Sequence, residues 1–154
     1  MVRAGVVDLA ELDDYVHSLK GYPGIRQARG LVSIADGRSE SPGESWSRLR
    51  LHDAGLPPPD LQIEVIDCDG NDRRIDLGYL EKRVGVEYDG REHHTDPVDT
   101  AFDTYRRDAL SQRDGWQWVV TDRAGVFGPD QGFELEVARL LGITQVRSRR
   151  WGTR

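Results

Sequence analysis

The sequence predicts an α/β fold in which a small mixed sheet is flanked by helices. Apolar and polar residues alternate over residues 62–66, 74–79 and 84–89, which is the period of half-buried strands. Residues 101–114 then show helical periodicity and lead into a short apolar strand at 116–121. A strand reached through a helix usually runs parallel to its sheet neighbour. The predicted order is therefore a three-strand meander, a crossover helix and one further, parallel strand.

Two amphipathic helices are predicted ahead of the sheet segment. The first covers residues 8–20 and is capped by Asp8, whose side chain can accept from the free N–H groups of the first turn. The second runs from Gly24 to about Asp36. Neither contains residues that suggest chemistry, so residues 1–38 are predicted to be an N-terminal helical extension.

A third helix is predicted to open at Ser41-Pro42-Gly43-Glu44. Ser at the N-cap, Pro at the first helical position and Glu at the third form a capping box. That box gives Glu44 a complete structural explanation. Alternatively, Glu44 points from the helix toward the carboxylates of the strands that follow. Both roles remain open from the sequence.

The strand pattern predicts which carboxylates face each other. A tight reversal centred on residues 81–82 sets Leu77 opposite Val86 and Asp76 opposite Glu87. Two carboxylates about 5 Å apart on one face repel each other unless something cationic lies between them. A divalent metal ion meets that requirement.

The preceding strand extends this acidic face. A three-residue loop at 69–71 would set Glu64 opposite Asp76. An antiparallel sheet with one wet side also alternates in this way, and Arg74 opposite Asp89 would then be an ordinary ion pair. The polar residues predicted to share the face are Gln62, Glu64, Asp76, Glu87 and Asp89.

The charge distribution is more informative than the formal net charge of −6. Residues 60–100 hold 5 basic and 12 acidic residues. Residues 1–59 hold 7 basic and 8 acidic residues, and residues 101–154 hold 9 basic and 7 acidic residues. The acidity is thus concentrated in the sheet segment. This is expected if carboxylates gather to hold a cation while substrate contacts come from elsewhere. A solvated acidic face would have the same composition.

Several classes of protein are disfavoured by the sequence. It has no run of about 18 apolar residues and no basic-then-apolar leader, so we expect a cytoplasmic protein without membrane contact. The single cysteine, Cys68, cannot form an internal disulfide. No Cys/His cluster has the spacing of a zinc site.

The segment after the meander supplies further candidates. Residues 91–97 are polar and breaker-rich, which predicts a loop. His93 and His94 in this loop could ligate a metal, shuttle a proton, touch phosphate or simply be solvated. Arg106 and Arg107 lie in the middle of the crossover helix, where they would reach a substrate phosphate or form a solvated helix face.

The C-terminal segment is predicted to complete the fold. Trp116 and Trp118 belong to so apolar a strand that they are expected to be core residues rather than base-stacking platforms. Residues 129–141 predict a last amphipathic helix that is stopped by glycine. Residues 143–154 form a basic tail whose composition suits nucleic-acid contact, although terminal segments often look like this.

Six motifs together carry a family resemblance: SESPGESWSRLRL, AGLPPPDLQ, RRIDLGY, VEYDGREHH, RRDAL and GWQWVVT. With these motifs, in this order from about residue 39 to 125, the chain resembles the PD-(D/E)XK nuclease superfamily. It is most similar to small domains related to very-short-patch repair endonucleases, which occur in actinobacterial proteins, often behind an abortive-infection-type (AbiEi-like) winged-helix segment. The resemblance implies a restriction-endonuclease-like core over residues 39–142.

The resemblance also implies an activity, namely Mg²⁺-dependent hydrolysis of DNA phosphodiester bonds, with Mn²⁺ as a substitute. The implied metal ligands are Asp76, Glu87, the backbone carbonyl of Tyr88, and Glu44. The implied catalytic residues are Glu44, Gln62, Asp76, Glu87, Asp89, His93 and His94. Arg106 and Arg107 are expected to bind the substrate phosphate.

The chain departs from the family pattern at Asp89, where the superfamily name expects a lysine. Gln62, a histidine or a second metal would then have to steady the attacking hydroxide. The alternative function is therefore a catalytically inactive, nuclease-derived module that binds DNA or a protein partner, as an antitoxin-like component would. The expected partner is DNA; a winged-helix segment is not visible in the sequence, and a further protein partner or a homodimer remains open.

Overall fold

The computed structural model of the chain describes residues 5–67, 69–90 and 97–148. The chain forms two compact units, Met1–Glu40 and Ser41–Arg154. Cys68, His93, His94 and the end of the basic tail lie outside the described residues.

The first unit contains two helices, α1 (Leu9–Ser18) and α2 (Ile25–Val32). Asp8 caps α1 as predicted, because its carboxylate accepts hydrogen bonds from the backbone N–H groups of the first turn. Arg29 on α2 joins the two helices by donating to the carbonyls of Val16 (3.1 Å) and Leu19 (2.6 Å) at the end of α1.

The second helix is shorter than predicted, since it ends at Val32 rather than near Asp36. Beyond it, Ile34 and Ala35 donate to the carbonyls three residues back, at 3.3 and 3.1 Å. Such tight turns replace the regular helical bonds and end the helix.

The second unit is built around a four-stranded mixed sheet. Its strands lie in the order β1-β2-β3-β4. Strand β2 is antiparallel to both β1 and β3, and β4 is parallel to β3. The α/β class, the meander and the parallel strand after a crossover helix are thus confirmed. The elements are α3 (Pro42–Asp53), β1 (Asp60–Ile66), β2 (Asp72–Tyr79), β3 (Val84–Asp89), α4 (Pro97–Asp114), β4 (Gln117–Asp122), α5 (Arg123–Phe127) and α6 (Gly132–Leu141).

The register between β2 and β3 is the predicted one. Leu77 pairs with Val86 and Tyr79 with Val84, and a short 3₁₀ turn at Leu80–Lys82 makes the reversal. Asp76 and Glu87 are the positions adjacent to the Leu77–Val86 pair. Both therefore lie on the face that the sequence predicted.

The register between β1 and β2 was predicted wrongly by two residues. Glu64 pairs with Arg74 rather than Asp76, because the loop spans residues 67–71. The carboxylate of Asp67 stabilises this longer loop by accepting from the backbone N–H of Asn71 at 2.8 Å. This bond, together with others from Arg73, Asn71 and Asp69, lowers the pKa of Asp67 to about 2. A shift of two residues leaves every side chain on its predicted face.

Helices cover the sheet, and strands and helices both contribute to the core. In the larger cluster, Leu51 of α3 and Val137 of α6 pack with Val86 of β3, all with essentially no solvent exposure. A smaller cluster places Leu110 of α4 against sheet residues and Trp116. Burying such side chains contributes about 1.5–3 kcal/mol each, so these contacts hold the helices on the sheet.

The tryptophans are packing residues, as predicted. Trp116 is buried, Trp118 is half-buried against the smaller cluster, and their rings stack with centroids 5.9 Å apart. The indole N–H of Trp118 donates to the carbonyl of Arg107 and to the hydroxyl of Ser111, both at 3.1 Å. These bonds fix the middle of α4 on β4.

The last three helices also differ from the prediction. Helix α4 begins at Pro97, before the predicted residue 101, because proline is compatible with the first turn of a helix. Helix α5 was not predicted; its N-cap, Asp122, accepts from the N–H of Gly125 at 2.8 Å. Helix α6 starts at Gly132, three residues later than expected. Within the described ranges, no helix has the length and apolarity needed to cross a membrane.

A buried ion pair connects α3 to α6. Arg50 donates from Nε to one oxygen of Glu134 at 2.5 Å and from Nη2 to the other at 2.6 Å. The same guanidinium also donates to backbone carbonyls of α5 and of the segment that follows it, including that of Val126 in α5 at 2.8 Å. The side chains of Arg50 and Glu134 are 4% and 2% exposed, so this pair lies fully inside the unit.

Candidate active site

Asp76 on β2 is the centre of a group of crowded carboxylates. The pKa of Asp76 is raised to about 6, first by burial and then by the negative charges of Glu44 and Glu87. A hydrogen bond from the backbone N–H of Tyr88 and the positive charge of Arg106 oppose this shift in the pKa. Burial together with the neighbouring carboxylates therefore outweighs the groups that stabilise the charged form of Asp76.

Glu44 reaches this group from the start of α3. The hydroxyl of Ser41 caps the helix by accepting from the backbone N–H of Glu44 at 3.1 Å, as predicted. The carboxylate of Glu44 is buried and accepts from Nε2 of Gln62 at 3.2 Å. Glu44 therefore combines a helix-start position with proximity to Asp76, so the two roles predicted for it are compatible.

Gln62 has an unusual backbone conformation for a strand residue. Its φ of 53° lies in the left-handed region, which non-glycine residues occupy uncommonly. The pairs on either side, Leu61–Leu77 and Ile63–Ile75, keep the regular β1–β2 register. Local strain of this kind, of order 1–3 kcal/mol, is found most often at functional sites.

Close packing at Gly43 brings α3 to the sheet. A β-carbon at this position would collide with the aromatic ring of Tyr88 on β3. Only glycine allows the first turn of α3 to approach so closely. The next residue in the chain is Glu44, so this contact places its carboxylate beside the acidic face.

Glu87 on β3 is neutralised by two arginines of α4. One oxygen accepts from Arg106 at 3.0 Å and the other from Arg107 at 2.9 Å. The three side chains are 12%, 20% and 21% exposed, so the cluster is half-buried rather than sealed. We call Glu87, Arg106 and Arg107 the Glu87 cluster.

An open cavity of about 250 Å³ lies against the Glu87 cluster. Its wall combines four carboxylates with three guanidinium groups, and very little of it is apolar. The described residues that line it are Arg74, Asp76, Glu87, Tyr88, Asp89, Gly90, Asp103, Arg106, Arg107 and Val120. Such a lining suits a ligand with both anionic groups and bound cations.

One buried donor of a cavity-lining residue has no partner in the part of the chain that the structure describes. The Nε of Arg106 has no hydrogen-bond partner among the residues that the structure describes. Buried donors are nearly always paired in folded proteins, and exceptions often mark positions where a ligand or an ion completes the bonding. The observation therefore indicates the α4 side of the cavity as a place where a ligand could bind.

The donor set is compatible with a hard divalent cation. Asp76, Glu87 and the Tyr88 carbonyl offer only oxygen ligands, which Mg²⁺ and Mn²⁺ accept. After burial, the charges of Glu44 and Glu87 are the next causes of the raised pKa of Asp76, and a cation would offset them. Within the described ranges, however, no three His, Cys, Asp or Glu side chains are already grouped as a metal site. A cation would have to take Glu87 from its arginines.

The remaining predicted residues are placed as follows. Asp89 ends β3, is exposed and lines the cavity. His93 and His94 lie outside the described residues, so their roles stay predictions. Glu64, predicted to face Asp76, is exposed and pairs across the sheet with Arg74.

Two charged residues of the cavity wall were not among the predicted site residues. Arg74 precedes Asp76 by two positions on the same strand, so it shares the face by the strand period alone. Asp103 lies one helical turn before Arg106, 3.9 Å from its guanidinium. An i,i+3 pair of this kind is visible in the sequence, but its orientation toward the sheet is not.

Two proteins of Mycobacterium tuberculosis are similar to this chain, the uncharacterized proteins MT2308 of strain CDC 1551 and Rv2248 of strain H37Rv. Each is 37% identical over 110 residues, which cover 71% of this chain and 40% of the relative. The chain therefore spans less than half the length of the curated relatives it matches. No family model and no solved structure matches it.

Proposed function

We propose that the second unit is a metal-dependent endonuclease domain with a restriction-endonuclease-like core that hydrolyses DNA phosphodiester bonds. The observation that carries the proposal is the convergence of Glu44, Asp76 and Glu87 beside a cavity that Arg106 and Arg107 also line. Carboxylates can hold a divalent cation, while guanidinium groups recognise phosphate. Both can contribute to the hydrolysis of a phosphodiester.

The proposed metal ligands are Asp76, Glu87, the backbone carbonyl of Tyr88 and Glu44. When bound, Mg²⁺ would polarise a phosphate oxygen and lower the pKa of a bound water. Manganese should substitute, because it accepts the same oxygen ligands.

The chain supplies positioning around this site. The backbone N–H of Tyr88 orients the carboxylate of Asp76, and the amide of Gln62 orients Glu44. Arg106 and Arg107 are proposed to bind the non-bridging oxygens of the phosphate, where they stabilise the charge that develops during in-line attack. Asp89 and the two histidines that follow it are proposed to complete the site on its open side.

Nicking of supercoiled plasmid tests this function directly. We expect nicking by the wild-type chain with Mg²⁺ or Mn²⁺ and none with EDTA. Asp76→Ala and Glu87→Ala should each lower the rate at least about a hundredfold, because each removes a charged group that acts on the transition state. Glu136→Ala, on the exposed face of α6, is the matched control and should leave the rate unchanged.

Inactivity of the folded wild-type chain with both metals, on plasmid, linear and single-stranded DNA, would contradict the proposal. Normal nicking by Asp76→Ala would contradict the proposed site.

A second candidate is a catalytically inactive module that binds DNA or a protein partner. The Glu87 cluster favours it, since arginines already satisfy both oxygens of the carboxylate. This candidate predicts DNA or partner binding that persists in EDTA and survives Asp76→Ala. Gel-shift and fluorescence-anisotropy titrations of a labelled duplex, with and without EDTA, separate it from the first.

A further inference from the structure

Two kinds of cation compete for Glu87 if the proposed function holds. Its oxygens accept from Arg106 at 3.0 Å and from Arg107 at 2.9 Å. A divalent ion bound to the same oxygens would repel the guanidinium groups at these distances. A bound metal would therefore weaken the hold of both arginines on Glu87.

The cavity that the two arginines line could hold a second ligand for them. Arg106 and Arg107 both line the cavity, and the Nε of Arg106 is buried without a partner among the described residues. A guanidinium in this state is incompletely satisfied by Glu87 alone. A phosphate group offers several acceptor oxygens in the geometry that guanidinium groups prefer.

We propose that the Glu87 cluster is an exchange switch between carboxylate and phosphate. Without a divalent cation, Arg106 and Arg107 neutralise Glu87 and are withheld from phosphate. When the cation takes Glu87, the two arginines pass to a phosphate of the substrate. The inference rests on the proposed function, because it requires a cation at Glu87.

The switch makes metal and phosphate binding reinforce each other. Each ligand removes the competitor of the other, and such coupling is reciprocal by thermodynamic necessity. DNA alone would then meet arginines that are already neutralised. DNA together with the cation would meet both arginines in a form able to bind it.

Calorimetric titration with Mn²⁺ tests the metal half of the switch. We expect Arg107→Ala to bind Mn²⁺ about tenfold more tightly than the wild-type chain, a coupling of ordinary size. Arg74→Ala is the matched control, because it removes the same charge from the same cavity without removing a bond to Glu87. It should raise the affinity by no more than about twofold, as expected of a screened charge.

Titration of a fluorescently labelled DNA duplex in EDTA tests the phosphate half. We expect Glu87→Gln to bind the duplex at least about fivefold more tightly than the wild-type chain, because it releases the arginines without metal. Glu136→Gln is the matched control, since it frees Arg139 from a 2.7 Å pair on the surface of α6. It should change the affinity by no more than about twofold.

The possible failures are distinguishable. If neither the wild-type chain nor Arg107→Ala binds Mn²⁺, the metal-dependent function is overturned and the switch with it. If the wild-type chain binds Mn²⁺ but Arg107→Ala gains no more than Arg74→Ala, the switch alone is overturned. The same holds if Glu87→Gln binds DNA no more tightly than Glu136→Gln. Circular dichroism checks that each variant is folded. The Mn²⁺ titration changes an arginine and the DNA titration changes the carboxylate, so if one variant misfolds, the other experiment still tests the switch.

Discussion

The second unit contains two arginine–carboxylate groups that differ in completeness. Between α3 and α6, Arg50 and Glu134 are almost fully buried, and backbone carbonyls occupy the guanidinium hydrogens that Glu134 leaves free. In the Glu87 cluster the side chains are partly exposed, and one buried nitrogen of Arg106 lacks a described partner. The first group is saturated, whereas the second borders an open cavity.

Completeness of hydrogen bonding thus distinguishes a structural ion pair from a functional one with the same chemistry. Saturation makes the Arg50–Glu134 pair costly to break, because either charge would be stranded inside the unit. Incomplete bonding next to solvent leaves the Glu87 cluster free to exchange partners. We therefore expect stability to depend on the first pair and ligand binding on the second.

The largest expected effect on stability comes from Glu134→Ala. It leaves the Arg50 guanidinium buried without its carboxylate, so we expect the free energy of unfolding to fall by about 3–5 kcal/mol. Urea denaturation followed by circular dichroism measures the change. A loss below about 1 kcal/mol, the range of surface pairs, would remove the distinction between the two groups.

The next effect concerns Asp76 and depends on pH. Its pKa is raised to about 6 from the ordinary 3.8, so the folded state binds more protons than the unfolded state between these values. Stability present below pH 4 is therefore lost as the pH rises through 6. Asn cannot ionise, so in EDTA at pH 7 we expect Asp76→Asn to be more stable than wild type by about 1–2 kcal/mol, after allowance for solvent screening.

Urea unfolding at a series of pH values measures this difference, which should shrink toward pH 4. Asp72→Asn, at the exposed start of β2, is the control and should follow the wild-type curve. A stability difference for Asp76→Asn that stays constant across this range would show that ionisation of Asp76 is not its cause.

The smallest expected change in stability is that of Glu87→Ala. Its arginines are partly exposed and can be hydrated after the carboxylate is removed, so we expect a loss of about 1 kcal/mol or less. Thermal and urea unfolding measure it beside Glu134→Ala. A loss as large as that of Glu134→Ala would mean that the Glu87 cluster is itself structural.

The sequence predicted those parts of the fold that depend on local patterns. Strand alternation located the meander and its acidic face, and the capping box located the start of α3. The β1–β2 register was missed because the carboxylate of Asp67 stabilises a loop longer than the one that glycine at position 70 suggested. Helix α5 was missed because five residues are too few to show helical periodicity.

Much of the candidate site depends on distant contacts that sequence patterns do not encode. Asp76 and Glu87 could be placed on one face by the strand period. The bonds from Arg106 and Arg107 to Glu87 could not, because they depend on how α4 lies across the sheet. That placement is set by contacts such as the one between Trp118 and the backbone of α4.

The contact between Gly43 and the ring of Tyr88 bears on how the site could be transferred or recognised elsewhere. Because Gly43 has no β-carbon, α3 can bring Glu44 close to the carboxylates of the strands. A chain could therefore carry all these acids and arginines and still hold them too far apart, if alanine stood at position 43. Anyone grafting the constellation onto another scaffold should treat that glycine as part of the design.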